Sequence, residues 1–274
     1  MKIAVASGKG GTGKTTVAVA LARSAPGPVH YLDCDVEEPN GHLFIRPEMR
    51  LHHEITLTVP RLIEEQCSHC GECRDLCRFR AITLFGDTTM VFPELCHSCG
   101  GCFLVCPERA LAEDKRVVGV LEQGEAGAIA FTHGRLRVGE AMAVPLIHAV
   151  LAEATAGLVI IDAPPGNSCP FVASVKDADY VLLVTEATPF GLHDLKLAVA
   201  VLRRLGRPFG VIINRADLGD DRTAGWCREE GITVHLAIPF DREIAAGYAA
   251  GLSLTESRPA LRAAFASLLE EVRP

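Results

Sequence analysis

Residues 7–16, SGKGGTGKTT, constrain the fold of this chain more than any other stretch. They fit the pattern G-x-x-x-x-G-K-[ST], they follow an apolar run, and they open a segment whose apolar residues recur with helical spacing. In such a loop, backbone N–H groups surround phosphates and the helix N-terminus adds positive potential. The sequence therefore predicts a strand, a phosphate-binding loop and a helix, and with them a nucleotide site.

The loop assigns a role to most of its own residues. Lys14 is expected to reach the β- and γ-phosphates, and the Thr15 hydroxyl is expected to ligate Mg²⁺. A second lysine, Lys9, has no function within this pattern. The predicted nucleotide-binding residues of the loop are Gly8, Lys9, Gly10, Gly11, Thr12, Gly13, Lys14, Thr15 and Thr16.

Two aspartates at the ends of apolar runs complete the predicted chemistry. Asp162 ends the run LVIID and is placed like the acidic residue that holds Mg²⁺, directly or through water. Asp35 ends the run 28–35, where its carboxylate can orient an attacking water and also lie near the Mg²⁺. Asp33 points to the same side of a strand but lies deeper, so we favour Asp35.

Short apolar runs alternate with amphipathic segments over most of the 274 residues. Strands that are apolar on both faces and separated by helices indicate an α/β fold, with a mostly parallel sheet covered by helices on both faces. The chemistry should then lie at the carboxyl ends of the strands. The runs are 2–7, 28–35, 157–166, 180–187, 209–217 and 233–241.

Eight of the eleven cysteines lie between Cys67 and Cys106, in two runs of C-x2-C-x2-C-x3-C that repeat at an offset of 29 residues. This spacing resembles that of two-cluster bacterial ferredoxins, in which the fourth cysteine of each run serves the other cluster. Zinc is the alternative, because C-x2-C pairs also form zinc sites. The expected [4Fe–4S] ligand sets are Cys67, Cys70, Cys73 and Cys106 for one cluster, and Cys77, Cys96, Cys99 and Cys102 for the other.

The cysteine-rich stretch interrupts the α/β pattern and is interpreted as an insertion. We predict an inserted α+β ferredoxin-type domain over residues 57–116, and a nucleotide-binding domain over residues 1–56 and 117–274. One departure from the ferredoxin pattern is that Arg78 follows Cys77, whereas Pro107 follows Cys106. This departure affects the expected surroundings of Cys77 and leaves its role as a ligand in place.

The two-lysine loop, the segments LDCD, DAPPG and IINRAD, and the stretch IPFDREIAAGYAAGLSL together resemble the MinD/ParA class of P-loop ATPases, which includes the nitrogenase iron protein. The resemblance implies an ATP- and Mg²⁺-dependent homodimer in which Lys9 reaches the partner's phosphates and Asp35 assists hydrolysis. It also implies that Asn214 reads adenine, although Asn214 alone also fits a strand-end turn. The segment Pro239, Phe240 and Asp241 is implied to lie near the base.

Three cysteines lie outside the two runs. Cys34 and Cys227 are interpreted as small buried apolar residues. Cys169 lies seven residues after Asp162, where the nitrogenase iron protein has a cluster ligand in a similar place. A bridging cluster, a thiol that transiently holds a metal or cluster, and ordinary packing are the alternatives left open for Cys169.

The cellular role has two competing interpretations. In the favoured one, ATP binding and hydrolysis control electron transfer, or the assembly of an iron–sulfur or metal cofactor, on a redox or cofactor-assembly partner. In the other, the protein is a positioning ATPase whose clusters act as a redox sensor or structural element. The net charge of −7 and the mixed charge of ALRAAFASLLEEVRP disfavour nucleic-acid binding and membrane attachment, and we expect a cytoplasmic protein with no membrane span.

Overall fold

The structure is a computed structural model that describes residues 1–273. These residues form a main sheet of nine strands and a separate two-stranded hairpin. The strands are β1 (Lys2–Ala6), β2 (Val29–Asp33), β3 (Glu48–Leu62), β4 (Ile82–Phe85), β5 (Thr88–Val91), β6 (Leu111–Ala126), β7 (Ile129–Leu136), β8 (Leu158–Asp162), β9 (Tyr180–Glu186), β10 (Phe209–Asn214) and β11 (Val234–Ile238).

Helices lie between most of these strands, and none within residues 1–273 has both the length and the apolar character needed to cross a membrane. The helices are α1 (Lys14–Ser24), α2 (Gly41–Ile45), α3 (Glu72–Leu76), α4 (Gly101–Val105), α5 (Val144–Ala152), α6 (Cys169–Val175), α7 (Pro189–Leu205), α8 (Arg222–Glu229), α9 (Arg242–Ala249), α10 (Leu254–Ser257) and α11 (Leu261–Glu271).

The main sheet has the order β11-β10-β9-β1-β8-β2-β7-β6-β3. All neighbours from β11 to β7 pair in parallel, whereas β6 pairs antiparallel with both β7 and β3. The predicted α/β fold with a mostly parallel sheet is confirmed. The antiparallel β3–β6 edge was not predicted.

Both faces of the parallel part of the sheet are buried, as the apolar runs predicted. Ile3 and Val5 of β1 pack into the core beneath α1 and α11, while Ala4 and Ala6 pack into the core on the opposite face. The second core receives apolar residues from α5, α6 and α7. Alternate residues of one strand therefore reach two different cores, and helices cover each face.

The carboxyl ends of the parallel strands bring the predicted site residues together. Asp33 of β2 and Asp162 of β8 are register partners, and Val5 of β1 pairs with Asp162 on the other side. The phosphate loop leaves β1 at this edge, so it emerges beside both aspartates. The loops that follow β9, β10 and β11 begin at the same edge, as expected for a parallel α/β sheet.

Strands β3 and β6 form the antiparallel edge of the main sheet, and their outer part extends past β7 as a long arm. Their pairing runs from Glu48 opposite Glu125 to Leu62 opposite Leu111, and the Ile63 N–H then donates to the Ala110 carbonyl at 2.8 Å. The predicted boundaries at 56/57 and 116/117 fall inside these two strands. Residues 63–110, between the strands, contain all eight clustered cysteines.

The sequence repeat within residues 63–110 is also a repeat of local conformation. Helices α3 and α4 begin 29 residues apart, and each follows a short 3₁₀ turn at the same offset. Residues with positive φ recur at the same spacing, so the two halves follow the same backbone path. These pairs are His69 and Ser98, Gly71 and Gly100, and Arg80 and Arg109.

Candidate functional site

Glycines give the phosphate loop its shape. Gly11 and Gly13 have φ values of 79° and 93°, a region that residues with a Cβ rarely adopt. Gly8 lies against α7, where an added Cβ would be 2.2 Å from the Asp194 carbonyl oxygen. Helix α1 begins directly after Gly13, so its free N–H groups face the loop.

Lys14 and Asp35 face each other across the predicted phosphate position. The Lys14 ammonium lies 3.7 Å from the Asp35 carboxylate, and the Lys14 side chain is only 6% exposed. Burial raises the pKa of Asp35 to about 6, with a contribution from the Asp162 carboxylate, while Lys14 acts in the opposite direction. This carboxylate can therefore change its protonation state near neutral pH.

Asp162 is fully buried beneath the loop. The Tyr31 hydroxyl donates to Asp162 Oδ2 at 2.9 Å, whereas Oδ1 is buried with no hydrogen-bond partner among the described residues. Burial raises the pKa of Asp162, and the Lys14 cation and the Thr15 hydroxyl lower it. An oxygen left without a donor beside a threonine hydroxyl suits Mg²⁺, which takes one or two protein ligands together with substrate phosphates.

Asp33 and Asp35 have different surroundings. The fully buried Asp33 carboxylate accepts hydrogen bonds from the backbone N–H groups of Asp35 at 3.2 Å and Gly41 at 3.0 Å. Asp35 instead lines the open cavity next to the loop. Asp33 therefore holds the 35–41 loop in place, and Asp35 is the aspartate of this pair that a nucleotide or water can reach.

A cavity of about 430 Å³ opens beside the loop, a size that suits a small-molecule ligand. Predicted residues that line it are Gly10, Gly11, Gly13, Lys14, Thr15, Thr16, Asp35, Asn214, Pro239, Phe240 and Asp241. The other predicted residues, Gly8, Lys9, Thr12 and Asp162, lie around it but do not line it. Nine further residues complete the lining of the cavity.

Asn214 and Asp241 make contacts within the protein at the cavity wall. The Asn214 amide donates to the Thr12 carbonyl at 2.8 Å, which ties the end of β10 to the phosphate loop. Asp241 caps α9 by accepting from the Glu243 N–H at 2.7 Å, and it forms an ion pair with Arg258. Both side chains therefore hold the cavity wall in place. The contacts with the adenine base that the family resemblance implies for this region stay a prediction.

Lys9, unlike Lys14, does not line the cavity. Its ammonium lies 3.2 Å from the Glu186 carboxylate at the end of β9, and its side chain is 31% exposed. Glu186 also accepts a hydrogen bond from Arg215 at 2.7 Å. The loop therefore places one lysine at the cavity and the other in a partly exposed ion pair at the end of β9.

Each predicted cysteine set surrounds a cavity of its own. One cavity is lined by Cys67, Cys70, Cys73 and Cys106, and the other by Cys77, Cys96, Cys99 and Cys102 together with Cys73. We call these sets the first and the second quartet. Each quartet combines three cysteines of one run with the last cysteine of the other run.

The thiols of each quartet affect one another's ionisation. Burial raises the pKa of Cys73, with further contributions from Cys106 and Cys67. Burial likewise raises the pKa of Cys102 to about 11, with contributions from Cys96 and Cys99. Four clustered thiols are a donor set that suits an iron–sulfur cluster, whose iron ions offset this mutual repulsion of thiolates.

Backbone N–H groups point at several of the sulfurs. Ala81 donates to Cys77 Sγ at 3.3 Å, and its repeat counterpart Ala110 donates to Cys106 Sγ at 3.2 Å. Such donors stabilise thiolates in the way that hydrogen bonds to sulfur tune iron–sulfur clusters. Within residues 1–273, no three His, Cys, Asp or Glu side chains converge as the ligands of a single metal ion would.

Residues 3–254 match the model of the CbiA family, described as the CobQ/CobB/MinD/ParA nucleotide binding domain. The chain belongs to this family. The uncharacterized protein MJ0578 of Methanocaldococcus jannaschii is 30% identical to this CbiA-family chain over 278 residues, which cover 100% of the chain and 96% of that protein. MJ0579 of the same organism is 27% identical over 264 residues, or 92% of the chain and 91% of that protein.

Solved structures share the CbiA-family fold. MinD of Pyrococcus horikoshii, in complex with Mg-ADP, matches with a TM-score of 0.60 and 20% identity, over 99% of this chain and 95% of that one. An ATP complex of Cyanothece McdA matches with a TM-score of 0.56 and 18% identity, over 99% and 95%. The predicted membership of the MinD/ParA class is confirmed. The ferredoxin resemblance and the relation to the nitrogenase iron protein remain predictions.

Sequence reasoning missed part of the cavity wall of this CbiA-family protein. Ile244, Ala245 and Tyr248 form one side of α9, and they follow the predicted Pro239–Asp241 segment. Their i, i+1, i+4 spacing is a helical face that would have identified them once a helix was placed there. The wall residues that were not predicted are Glu38, Asn40, Pro165, Arg215, Ile238, Ile244, Ala245, Tyr248 and Leu254.

The three remaining cysteines separate by burial. Cys34 and Cys227 are fully buried, as predicted for small apolar residues. Cys169 is exposed at the first residue of α6, in the segment that follows Asp162. The role of Cys169 as a metal or cluster ligand stays a prediction.

Proposed function

We propose that this protein is a Mg²⁺-dependent ATPase that acts as a homodimeric switch and couples its nucleotide state to electron transfer through two [4Fe–4S] clusters. The observation that carries the proposal is the sorting of eight cysteines into two quartets, each around its own cavity. This module is joined by paired strands to the sheet whose carboxyl edge forms the nucleotide cavity.

The ATPase part of the proposal uses groups at the carboxyl edge of the sheet. Lys14 offsets the charge of the β- and γ-phosphates, and Thr15 and Asp162 supply oxygen ligands for Mg²⁺. Asp35 lines the cavity and accepts a hydrogen bond from the attacking water when it is ionised. The apolar side chains of Phe240 and Tyr248 offer a surface for the adenine ring.

Lys9 supports the dimeric part of the proposal. It does not line the cavity of its own subunit, and its partly exposed ammonium is available at the surface once it leaves Glu186. A cation supplied from a second subunit offsets charge on the transferred phosphoryl group only when the subunits dock. Hydrolysis then depends on dimerisation, and by linkage ATP favours the docked state.

The two quartets would hold the clusters through their cysteine thiolates, and a bound [4Fe–4S] cluster supplies one-electron transfer. Ala81 and Ala110 would donate to ligand sulfurs in corresponding positions of the two halves. Complete sets of four ligands favour stable electron carriers over delivery of a cluster, since a donated cluster needs labile coordination. ATP-driven cofactor assembly is therefore the less favoured form of the same proposal.

Metal analysis tests the proposal first. Protein purified without oxygen is expected to contain about eight iron and about eight acid-labile sulfide per chain. Zinc in place of iron would refute the electron-transfer function.

The variant Lys9→Ala tests the dimeric part of the proposal. It should leave ATP binding intact and abolish both ATP-induced dimerisation and hydrolysis. A monomer that hydrolyses ATP normally without Lys9 would refute the cross-subunit role.

Affinity capture tests the type of partner. The variant Asp35→Asn, which should bind ATP without hydrolysing it, is used as bait with ATP and separately with ADP. Co-purification of an oxidoreductase with ATP supports electron transfer, and a cofactor-assembly protein supports the assembly form. Recovery with membrane or DNA instead would favour the alternative, a positioning ATPase in which the clusters serve as sensor or structural element.

A further inference from the structure

Arg116 connects the second quartet to the nucleotide domain. It lies on β6, and its side chain is only 6% exposed. Its guanidinium donates to the backbone carbonyl of Cys96 at 3.2 Å and forms an ion pair with Glu140. One side chain therefore contacts both the backbone of a quartet cysteine and a carboxylate that belongs to the nucleotide domain.

Glu140 is held in a turn directly after β7. Its side chain is fully buried, Oε1 accepts from the Met142 N–H at 3.0 Å, and its own N–H donates to the Arg137 carbonyl at 3.0 Å. The carboxylate is thus fixed to the backbone on both sides of the turn. A movement of this turn must move the anion that faces Arg116.

The same turn is bonded to the loop that carries Asp35. The N–H of Leu136, the last residue of β7, donates to the Val36 carbonyl at 2.8 Å. Val36 is buried and follows Asp35 directly. The packing beside this contact is tight, because a Cβ added to Gly134 would lie 2.8 Å from a Val36 methyl group. A displacement of the Asp35 loop is therefore passed to the end of β7.

The ion pair is not explained by stability alone. Two charges removed from water incur a desolvation cost, and apolar side chains of similar volume often stabilise a protein equally well. Arg116 also leaves its Nε buried with no hydrogen-bond partner among the described residues. Within residues 1–273, the described contacts of the guanidinium reach Cys96 and not its repeat counterpart Cys67.

We propose that Arg116 is a positioning residue that couples the second quartet to the Asp35 loop, so that the bound nucleotide changes the reduction potential of a cluster held there. The inference rests on the proposed function. A positive charge beside a ligand residue favours the more negative, reduced state of a cluster. When Glu140 moves with the Asp35 loop, it neutralises that charge to a different extent.

The test measures the reduction potentials of the clusters by titration with dithionite, followed by electron paramagnetic resonance. The titration is done once with ADP bound and once with ATP bound. The variants are Arg116→Met and, as a matched control, Arg61→Met, which removes an exposed arginine of the neighbouring strand β3. In wild type and in the control, the potential of one cluster should differ between the two nucleotides. In Arg116→Met this difference should fall by more than half, with about eight iron retained and ATP affinity within about twofold, since Arg116 does not line the nucleotide cavity.

The double variant Arg116→Met/Glu140→Leu removes both charges and serves if the single variant does not fold. A second readout does not depend on a redox measurement: ATP should change hydrogen exchange of residues 111–118 in wild-type protein as purified without oxygen, and this change should disappear in the double variant. The role of Arg116 would be overturned if iron-loaded Arg116→Met kept the full difference in reduction potential between the ADP and ATP states. It would also be overturned if the wild-type protein showed no such difference. Absence of iron or of ATP hydrolysis in wild type would instead refute the proposed function.

Discussion

Lys9 and Glu186 form an ion pair within one subunit, with 3.2 Å between the ammonium and the carboxylate. Glu186 lies at the end of β9, and Arg215, which lines the nucleotide cavity, binds the same carboxylate at 2.7 Å. The lysine proposed to act on a partner's phosphates is therefore already bound by its own chain. In the proposed dimer, docking of the two subunits must break this contact before Lys9 can act on the partner's nucleotide.

The variant Glu186→Gln should dimerise at a lower ATP concentration, because it removes the charge that holds Lys9 in its own subunit. A partly exposed pair of this kind is worth about 1 kcal/mol, so the half-maximal ATP concentration should fall by a factor of up to about five. Analytical ultracentrifugation across an ATP series measures this. Glu230→Gln, which removes a surface pair with Arg203, is the control and should leave dimerisation unchanged. Weaker dimerisation of Glu186→Gln would mean that Glu186 assists the docked state.

Asp35 should make the stability of the nucleotide-free protein depend on pH. Its pKa is raised to about 6 from the ordinary 3.8, mainly by burial, so the folded state holds the proton more tightly than the unfolded chain. The free energy of unfolding should therefore fall as pH rises from about 4 to about 6. Asp35→Asn cannot ionise and should be about 2–3 kcal/mol more stable than wild type at about pH 8.

Urea unfolding at two pH values checks this expectation. The advantage of Asp35→Asn should be present at about pH 8 and should vanish at about pH 4, where the wild-type carboxyl is also largely protonated. Equal stability of the two proteins at about pH 8 would show that the Asp35 carboxylate is not disfavoured by the fold. The same variant should lose ATP hydrolysis, so that at this position function and stability oppose each other.

Cysteine variants test the assignment of the quartets. Cys77→Ser should lower the iron content from about eight to about four per chain, since one [4Fe–4S] cluster is lost. Adding Cys96→Ser should cause no further loss, because both residues belong to the second quartet. Combining Cys96→Ser with Cys106→Ser should remove nearly all iron. Cys169→Ser is the control outside both quartets, and a fall in its iron content would show that Cys169 is itself a ligand.

Two glycines of the phosphate loop should respond differently to alanine. A Cβ at Gly8 would lie 2.2 Å from the Asp194 carbonyl oxygen of α7, whereas a Cβ at Gly10 would meet nothing within 4 Å. Gly8→Ala should lower the free energy of unfolding by about 1–3 kcal/mol, because the loop and α7 must move apart. Gly10→Ala should change it by less than about 0.5 kcal/mol. Thermal unfolding of both variants without nucleotide measures this difference. Equal losses of stability in Gly8→Ala and Gly10→Ala would contradict the tight contact between Gly8 and α7.

Local pattern was sufficient to predict the parallel half of the fold. In β1, Ile3 and Val5 alternate with Ala4 and Ala6 and all four are buried, which is why the run reads as continuously apolar. Strand β3 gave no such signal, because most of its residues from Glu48 onward are exposed and its pairing depends on residues 111–126, far along the chain. Edge strands of this kind are set by their partners more than by their own composition.

Some residues of the nucleotide site could be predicted from a contiguous motif, whereas others depend on contacts between residues far apart in the sequence. Gly13, Lys14 and Thr15 follow from a contiguous motif, whose spacing alone fixes the backbone and the ligand groups. The contact of Asn214 with the Thr12 carbonyl joins residues 202 positions apart, and the pairing of Lys9 with Glu186 also depends on neighbouring strands. Such contacts arise from strand order, which the sequence pattern leaves open.

The hydrogen bond from Ile63 to Ala110 brings the first and last residues of the cysteine module together at the end of the β3–β6 arm. Because entry and exit are neighbours on an antiparallel pair, a short turn could replace residues 63–110 without changing the order of the remaining strands. The cysteine module is therefore a side loop of the β3–β6 hairpin in topological terms, because all nine strands of the main sheet lie outside residues 63–110.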